Sequence, residues 1–121
     1  MRVCITSQGD NLDAQVDPRF GRSEYFIILD TETLKFEAVR NPNTSGIGGV
    51  GVQSGQIIAS KDVKAVLTGN VGPNAFQTLR AAGIEVITGV SGSVKEAVEK
   101  HKKGELKPTQ GPSVDSKFGI G

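Results

Sequence analysis

Apolar residues in this chain gather in short clusters separated by turn-forming residues. The first cluster is Val3, Cys4 and Ile5 within RVCIT at 2–6, which reads as a strand. Ser7 to Asn11 (SQGDN) is turn chemistry. Leu12, Ala14 and Val16 alternate with Asp13, Gln15 and Asp17, so 12–16 is expected to be a brief, half-buried extended piece. YFIIL at 25–29 is apolar at every position and suits a central strand covered on both faces. After the turn at 30–33, LKFEAVR at 34–40 sets Leu34, Phe36 and Ala38 on one face. The link is too short for a crossover, so these two strands form an antiparallel hairpin.

The second half repeats itself. AVLTGNVG at 65–72 and EVITGVSG at 85–92 align at an offset of 20 residues. Each unit is a short β-branched strand, a Thr-Gly-x-x-Gly turn and a helix. Pro73 opens the first of these helices, with Ala75, Phe76 and Leu79 as its apolar stripe. Ser93 caps the second, with Val94, Ala97 and Val98 as its stripe. Upstream, Val52–Ser60 reads as a weaker helix with Gly55 inside it. Consecutive strand–helix units with short links imply parallel strands and right-handed crossovers. The expected architecture is therefore α/β: a ribonuclease H-like, three-layer arrangement on a mixed five-stranded sheet, antiparallel in its first half and parallel in its second. Residues 1–104 form one domain. Residues 105–121 form an extended C-terminal tail that folds back through Phe118.

Composition narrows the function. The 121 residues are 36% hydrophobic and 22% charged, which fits one compact soluble domain. No apolar run reaches the roughly 18–20 residues that span a bilayer, and the N-terminus lacks a signal-peptide core, so a cytoplasmic protein with no membrane partner is expected. A net charge of +1, five Phe, one Tyr and no Trp leave little for a nucleic acid to recognise. A single cysteine excludes an internal disulfide.

Twelve residues, TSGIGGVGVQSG at 44–55, hold five glycines and spell G-x-G-x-x-G from Gly46. A dinucleotide site needs that motif after the first strand of a parallel unit, with an acid about 20 positions on. Here the preceding strand is the outer arm of a hairpin, and no acid lies between Asp62 and Glu85. There is no G-K-[ST] for a Walker loop. Nuclease chemistry needs several carboxylates converging on metal ions, and RVCIT carries none. Cys4 reads as an inert strand thiol, and His101, beside Lys102 and Lys103, as a partner for a helix C-terminus. No catalytic residue is assigned.

What remains is a rim. Ligands of open sheets bind beyond the carboxyl ends of parallel strands, where the turns 68–72 and 88–92 lie. With the loop at 44–51, three glycine-lined helix N-termini would face one edge and suit an anion. The segment DPRFGR at 17–22 adds charge: Phe20 anchors the turn, Gly21 bends it, and Arg19 and Arg22 are presented for an oxyanion or a polar cluster surface. The candidate binding residues are Arg19, Gly21, Arg22, Gly48, Gly49, Gly51, Gly69, Asn70 and Gly72.

The combination of MRVCITS, VDPRFGRSEYFIILD, GIGGVG, VLTGNVGPNAF and the ending GPSVDSKFG resembles the dinitrogenase iron–molybdenum cofactor biosynthesis family. The resemblance covers residues 2 to about 103. It implies the same small α/β fold and a non-enzymatic role in carrying or storing an iron–molybdenum or other metal–sulfur cluster, with cluster-assembly proteins as partners and no cofactor needed for folding. Relatives include holders of molybdenum–copper–sulfide clusters. Cluster carriers often read His-Phe-Gly where this chain has Arg19-Phe20-Gly21, and that histidine is a candidate ligand. Its replacement leaves Cys4 as the one soft donor for a metal, and otherwise an electrostatic cradle. The alternative is a regulatory or scaffold domain that binds a protein partner without metal.

Overall fold

The elements run β1 (Arg2–Ser7), β2 (Tyr25–Asp30), β3 (Phe36–Arg40), α1 (Val50–Ala59), β4 (Ala65–Leu67), α2 (Pro73–Ala81), β5 (Glu85–Ile87) and α3 (Val94–Lys102). The structure, a computed structural model, describes residues 1–42 and 50–113. Its strands form a five-stranded sheet in the order β3-β2-β1-β4-β5. β1 and β2, and β2 and β3, pair antiparallel; β1 and β4, and β4 and β5, pair parallel. The expected change from antiparallel to parallel pairing is present, and β1 is its seam.

β1 can sit at the seam because both of its faces are apolar. Val3 and Ile5 pack with Ile27, Leu29, Leu67 and Ile87 under Val94, Ala97 and Val98 of α3. Cys4 faces the other way, with Phe26, Ile28, Val66 and Val86, under Ile58 of α1 and Ala75 and Leu79 of α2. Two cores thus flank the sheet, giving helix, sheet and helix layers. Gly55 explains why α1 tolerates a residue of poor helix propensity. A Cβ there would lie 2.8 Å from Thr78 Cγ2, so the glycine permits the close α1–α2 contact.

Three sequence expectations change. Residues 12–16 keep the expected alternation of burial but turn at Leu12 and Asp13, so they are extended only in part. They make only isolated bridges, Ser7 to Val16 and Gln15 to Ser93, because the piece crosses between β1 and α3 and finds no strand running beside it. β3 begins at Phe36, since Leu34 adopts a left-handed conformation (φ 63) that completes the hairpin turn. α1 starts at Val50, two residues before the expected Val52.

The described part of the tail is bonded to the sheet. Thr109 N–H donates to Val86 C=O at 2.7 Å and its Oγ1 accepts from Thr88 N–H at 3.0 Å, so it covers the outer edge of β5. Phe118 lies outside the described residues.

Candidate functional site

Asp17 organises the 17–22 turn. Its side chain is 1% exposed. Oδ1 accepts from Arg19 N–H at 3.0 Å and Oδ2 from Glu24 N–H at 3.4 Å, closing the loop on itself. The Arg19 Nε lies 3.6 Å from the same carboxylate, while the Arg19 side chain stays 41% exposed. Arg19 is thus aimed from a fixed base, with part of its charge already met by Asp17. Phe20 is buried against Phe26, ring centroids 5.7 Å apart. The Gly21 carbonyl accepts from Asn41 Nδ2 at 3.0 Å and from Ser54 Oγ at 3.2 Å, which ties the turn to the end of β3 and to α1. Arg22 is half-buried.

This turn meets the first Thr-Gly-x-x-Gly turn directly. Arg19 and Asn70 form a parallel bridge, Phe20 N–H donates to Asn70 C=O at 3.2 Å, and Asn70 Nδ2 donates to Pro18 C=O at 3.3 Å. Gly69 makes the approach possible: a Cβ there would fall 2.6 Å from Pro18 Cα. Beneath, the Thr6 hydroxyl donates to Asp17 C=O at 2.7 Å and hydrogen-bonds Thr68 Oγ1 at 2.8 Å, joining the ends of β1 and β4. Gly51, in the first turn of α1, lies against Ala75 of α2. Arg19, Gly21, Gly69 and Asn70 are therefore joined by the meeting of the two turns, whereas Gly51 serves the α1–α2 packing and Gly72 is the N-cap of α2. Gly48 and Gly49 lie outside the described residues.

The second Thr-Gly-x-x-Gly turn is not part of an open cradle. Val16 N–H donates to Gly92 C=O, while Val94 and Lys95 N–H donate to Ala14 C=O and Leu12 C=O, all at 2.9 Å. Ser93 and Glu96 close a capping box, with Glu96 N–H to Ser93 Oγ at 3.1 Å and Ser93 N–H to Glu96 Oε1 at 2.9 Å. The expectation of three anion-ready helix ends fails at α3 because the 12–16 segment and the cap use its amides. At the first turn, Val71 N–H is held by Ser113 Oγ at 2.8 Å, and Ser113 N–H returns a bond to Val71 C=O at 2.9 Å.

Cys4 is fully buried in mid-β1, and desolvation pushes its thiol far above the ordinary cysteine value. It points into the α1–α2 core and is not at the rim. Among the described residues no group of three His, Cys, Asp or Glu is placed to hold a metal ion. Sequence reasoning read Asp17 only as the start of the turn, and missed Asn41, Ser54 and Ser113 as parts of this arrangement. Asp17 alone left a signal, in the Asp-Pro turn it begins.

The sequence model of the family described as "Dinitrogenase iron-molybdenum cofactor" matches residues 1–104. The chain belongs to this family. Among solved structures, the apo form of the orange protein from Desulfovibrio gigas is 37% identical and superposes with a TM-score of 0.90, covering 93% of this chain and 96% of that one. A NifB-like protein from Thermotoga, solved by NMR, is 41% identical with a TM-score of 0.75, covering 88% of this chain and 91% of that one. A Methanocaldococcus jannaschii protein is 32% identical over 95 residues, 76% of this chain and 80% of that protein. No described helix is long and apolar enough to cross a membrane.

Proposed function

We propose that this chain is a non-enzymatic carrier of an anionic metal–sulfur cluster, iron–molybdenum or related, held at the rim formed by the 17–22 and 69–72 turns. The observation that carries the reading is the Arg19–Asn70 bridge, which sets an exposed guanidinium beside a glycine turn at the carboxyl end of a parallel strand. Membership of the family supports the class of cargo. The donor set fits a cluster that brings its own sulfide: guanidinium and amide donors can grip sulfur and oxo groups, whereas a bare cation would need the thiolate or carboxylate ligands that Cys4 and Asp17, both buried, are not placed to offer. A helix–sheet–helix sandwich whose sheet turns from antiparallel to parallel at β1 supports the ribonuclease H-like description. Cluster-assembly proteins of the cytoplasm are the partners this reading expects, in work related to nitrogenase cofactors.

The test is anaerobic incubation with iron, thiomolybdate and sulfide, followed by gel filtration with absorbance and metal analysis. A coloured cluster co-eluting with the chain is expected, bound about tenfold more weakly in Arg19→Ala, the loss of one charge-assisted contact of ~1.4 kcal/mol. A chain that stays colourless, or an Arg19→Ala variant that binds as well as its parent, overturns the assignment.

A further inference from the structure

The sheet ends differently at its two edges. On β5, the outward Val86 C=O and Thr88 N–H are taken by Thr109. On β3, the hydrogen-bond alternation decides which groups face out. Asp30 N–H donates to Lys35 C=O and Asn41 N–H to Glu24 C=O, so the odd-numbered residues of β3 turn toward β2. The N–H and C=O groups of Phe36, Ala38 and Arg40 therefore face away from the sheet, and among the described residues nothing bonds them.

The side chains at this edge are apolar where water would favour polar ones. Phe36 is 41% exposed and Leu34 43%. Leu34 is held out on a left-handed backbone (φ 63) that disfavours a leucine. The charges that blunt an edge strand are engaged over its faces: Glu37 pairs with Lys61 at 3.3 Å, and the Arg40 guanidinium lies 5.8 Å from the Tyr25 ring centroid.

We propose that β3 pairs antiparallel with β3 of a second copy of this chain, on a two-fold axis at Ala38. The parity of the outward groups allows an axis at residue 37, 38 or 39. An axis at Glu37 sets that carboxylate against its own copy, which is unfavourable. An axis at Val39 sets Phe36 against Pro42, which has no N–H to donate. An axis at Ala38 sets Ala38 against itself, Glu37 against Val39, and Phe36 against Arg40 on the face Arg40 shares with Tyr25. The guanidinium is then stacked between Tyr25 of its own chain and Phe36 of the other, a complementary charge–aromatic contact made twice by symmetry. One strand pair buries less than the roughly 1,200–2,000 Å² of stable complexes, so the dimer forms in a concentration-dependent way.

Sedimentation velocity over a micromolar-to-millimolar series of the full chain tests this. The expected result is a shift from monomer to dimer mass with concentration. Ala38→Pro removes an N–H that makes no bond within the chain, so it keeps the fold, checked by circular dichroism, and weakens dimerisation at least tenfold. F36K sets like charges opposite each other and does the same, while a mixture of F36K with R40E recovers a dimer because opposite charges then face across the axis. This cycle decides the matter even if Ala38→Pro fails to fold. A monomer throughout the series, or a dimer indifferent to F36K and not recovered by the mixture, overturns the proposal.

Discussion

Gly69 and Gly89 occupy the same place in the internal repeat, yet they are glycines for different reasons, and substitution separates the two. At Gly69 an added Cβ would lie 2.6 Å from Pro18 Cα, 2.9 Å from Pro18 O and 3.0 Å from Pro18 Cβ. Carbon–carbon contacts relax near 3.5 Å, so the 17–22 turn must retreat by about 1 Å. Backbone is in the way, so no rotamer change relieves the clash. Overpacking of this kind costs about 1–3 kcal/mol. The Phe20 N–H to Asn70 C=O bond, 3.2 Å long, would stretch beyond useful range and add about 0.5–1.5 kcal/mol. Gly69→Ala is therefore expected to lose about 2–4 kcal/mol in urea unfolding, a melting-temperature drop of about 8–16 °C. It should also move the amide resonances of Arg19 to Arg22. At Gly89 nothing lies within 4 Å of an added Cβ, and φ is +74. Gly89→Ala is expected to cost about 1–2 kcal/mol through its left-handed backbone alone, and Gly89→Asn much less, since asparagine tolerates that region. Gly69→Asn, by contrast, should be at least as harmful as Gly69→Ala. If Gly69→Ala stays within about 0.5 kcal/mol of the parent, or if asparagine rescues both sites alike, the steric account of the rim is wrong.

Other expectations follow from single contacts. Hydrogen bonds from Ser93, backbone first, hold the Glu96 carboxyl below its usual 4.5, so its contribution is fully present above that value and is lost as pH falls through the lower folded value. Ser93→Ala should cost ~1 kcal/mol at neutral pH, and Glu96→Gln, which removes the titrating group, should flatten the acid side of the stability profile below pH 4.5; a profile unchanged in Glu96→Gln would remove the capping box from the account. Cys4, buried with its thiol pushed up, should resist thiol reagents in the native state and react only at the rate of unfolding; fast labelling of the folded chain would place it within reach of ligands after all. Ser113→Ala should speed hydrogen exchange at Val71, whose N–H it now holds at 2.8 Å, and unchanged protection there would mean the tail does not latch that turn in solution.

Local chemistry was enough to read most of the fold. Period-two and all-apolar runs marked the strands, and Pro73 and Ser93 marked two helix starts, because those signals depend on residues a few positions apart. The length of each link also settled which strands are antiparallel and which parallel. Leu34 misled because its apolar character fits a strand while the hairpin needed a left-handed residue at that point. Gly55 only weakened a helix reading that the structure bears out, since the value of its missing side chain lies in Thr78, 23 positions on.

The candidate site was legible only in outline. Arg19, Gly69 and Asn70 were named as members of one rim, but the distance between them depends on Pro18 meeting Gly69 across more than fifty residues of chain. The closure of the α3 amides by Leu12 and Ala14, and of Val71 by Ser113, is equally non-local. Sequence spacing governs what a residue can do within its own turn of helix or pair of strands. Which carbonyl reaches which amide from a distant segment is decided when the two cores pack against the sheet, because a contact of 3 Å exists only once every layer beneath it is in place.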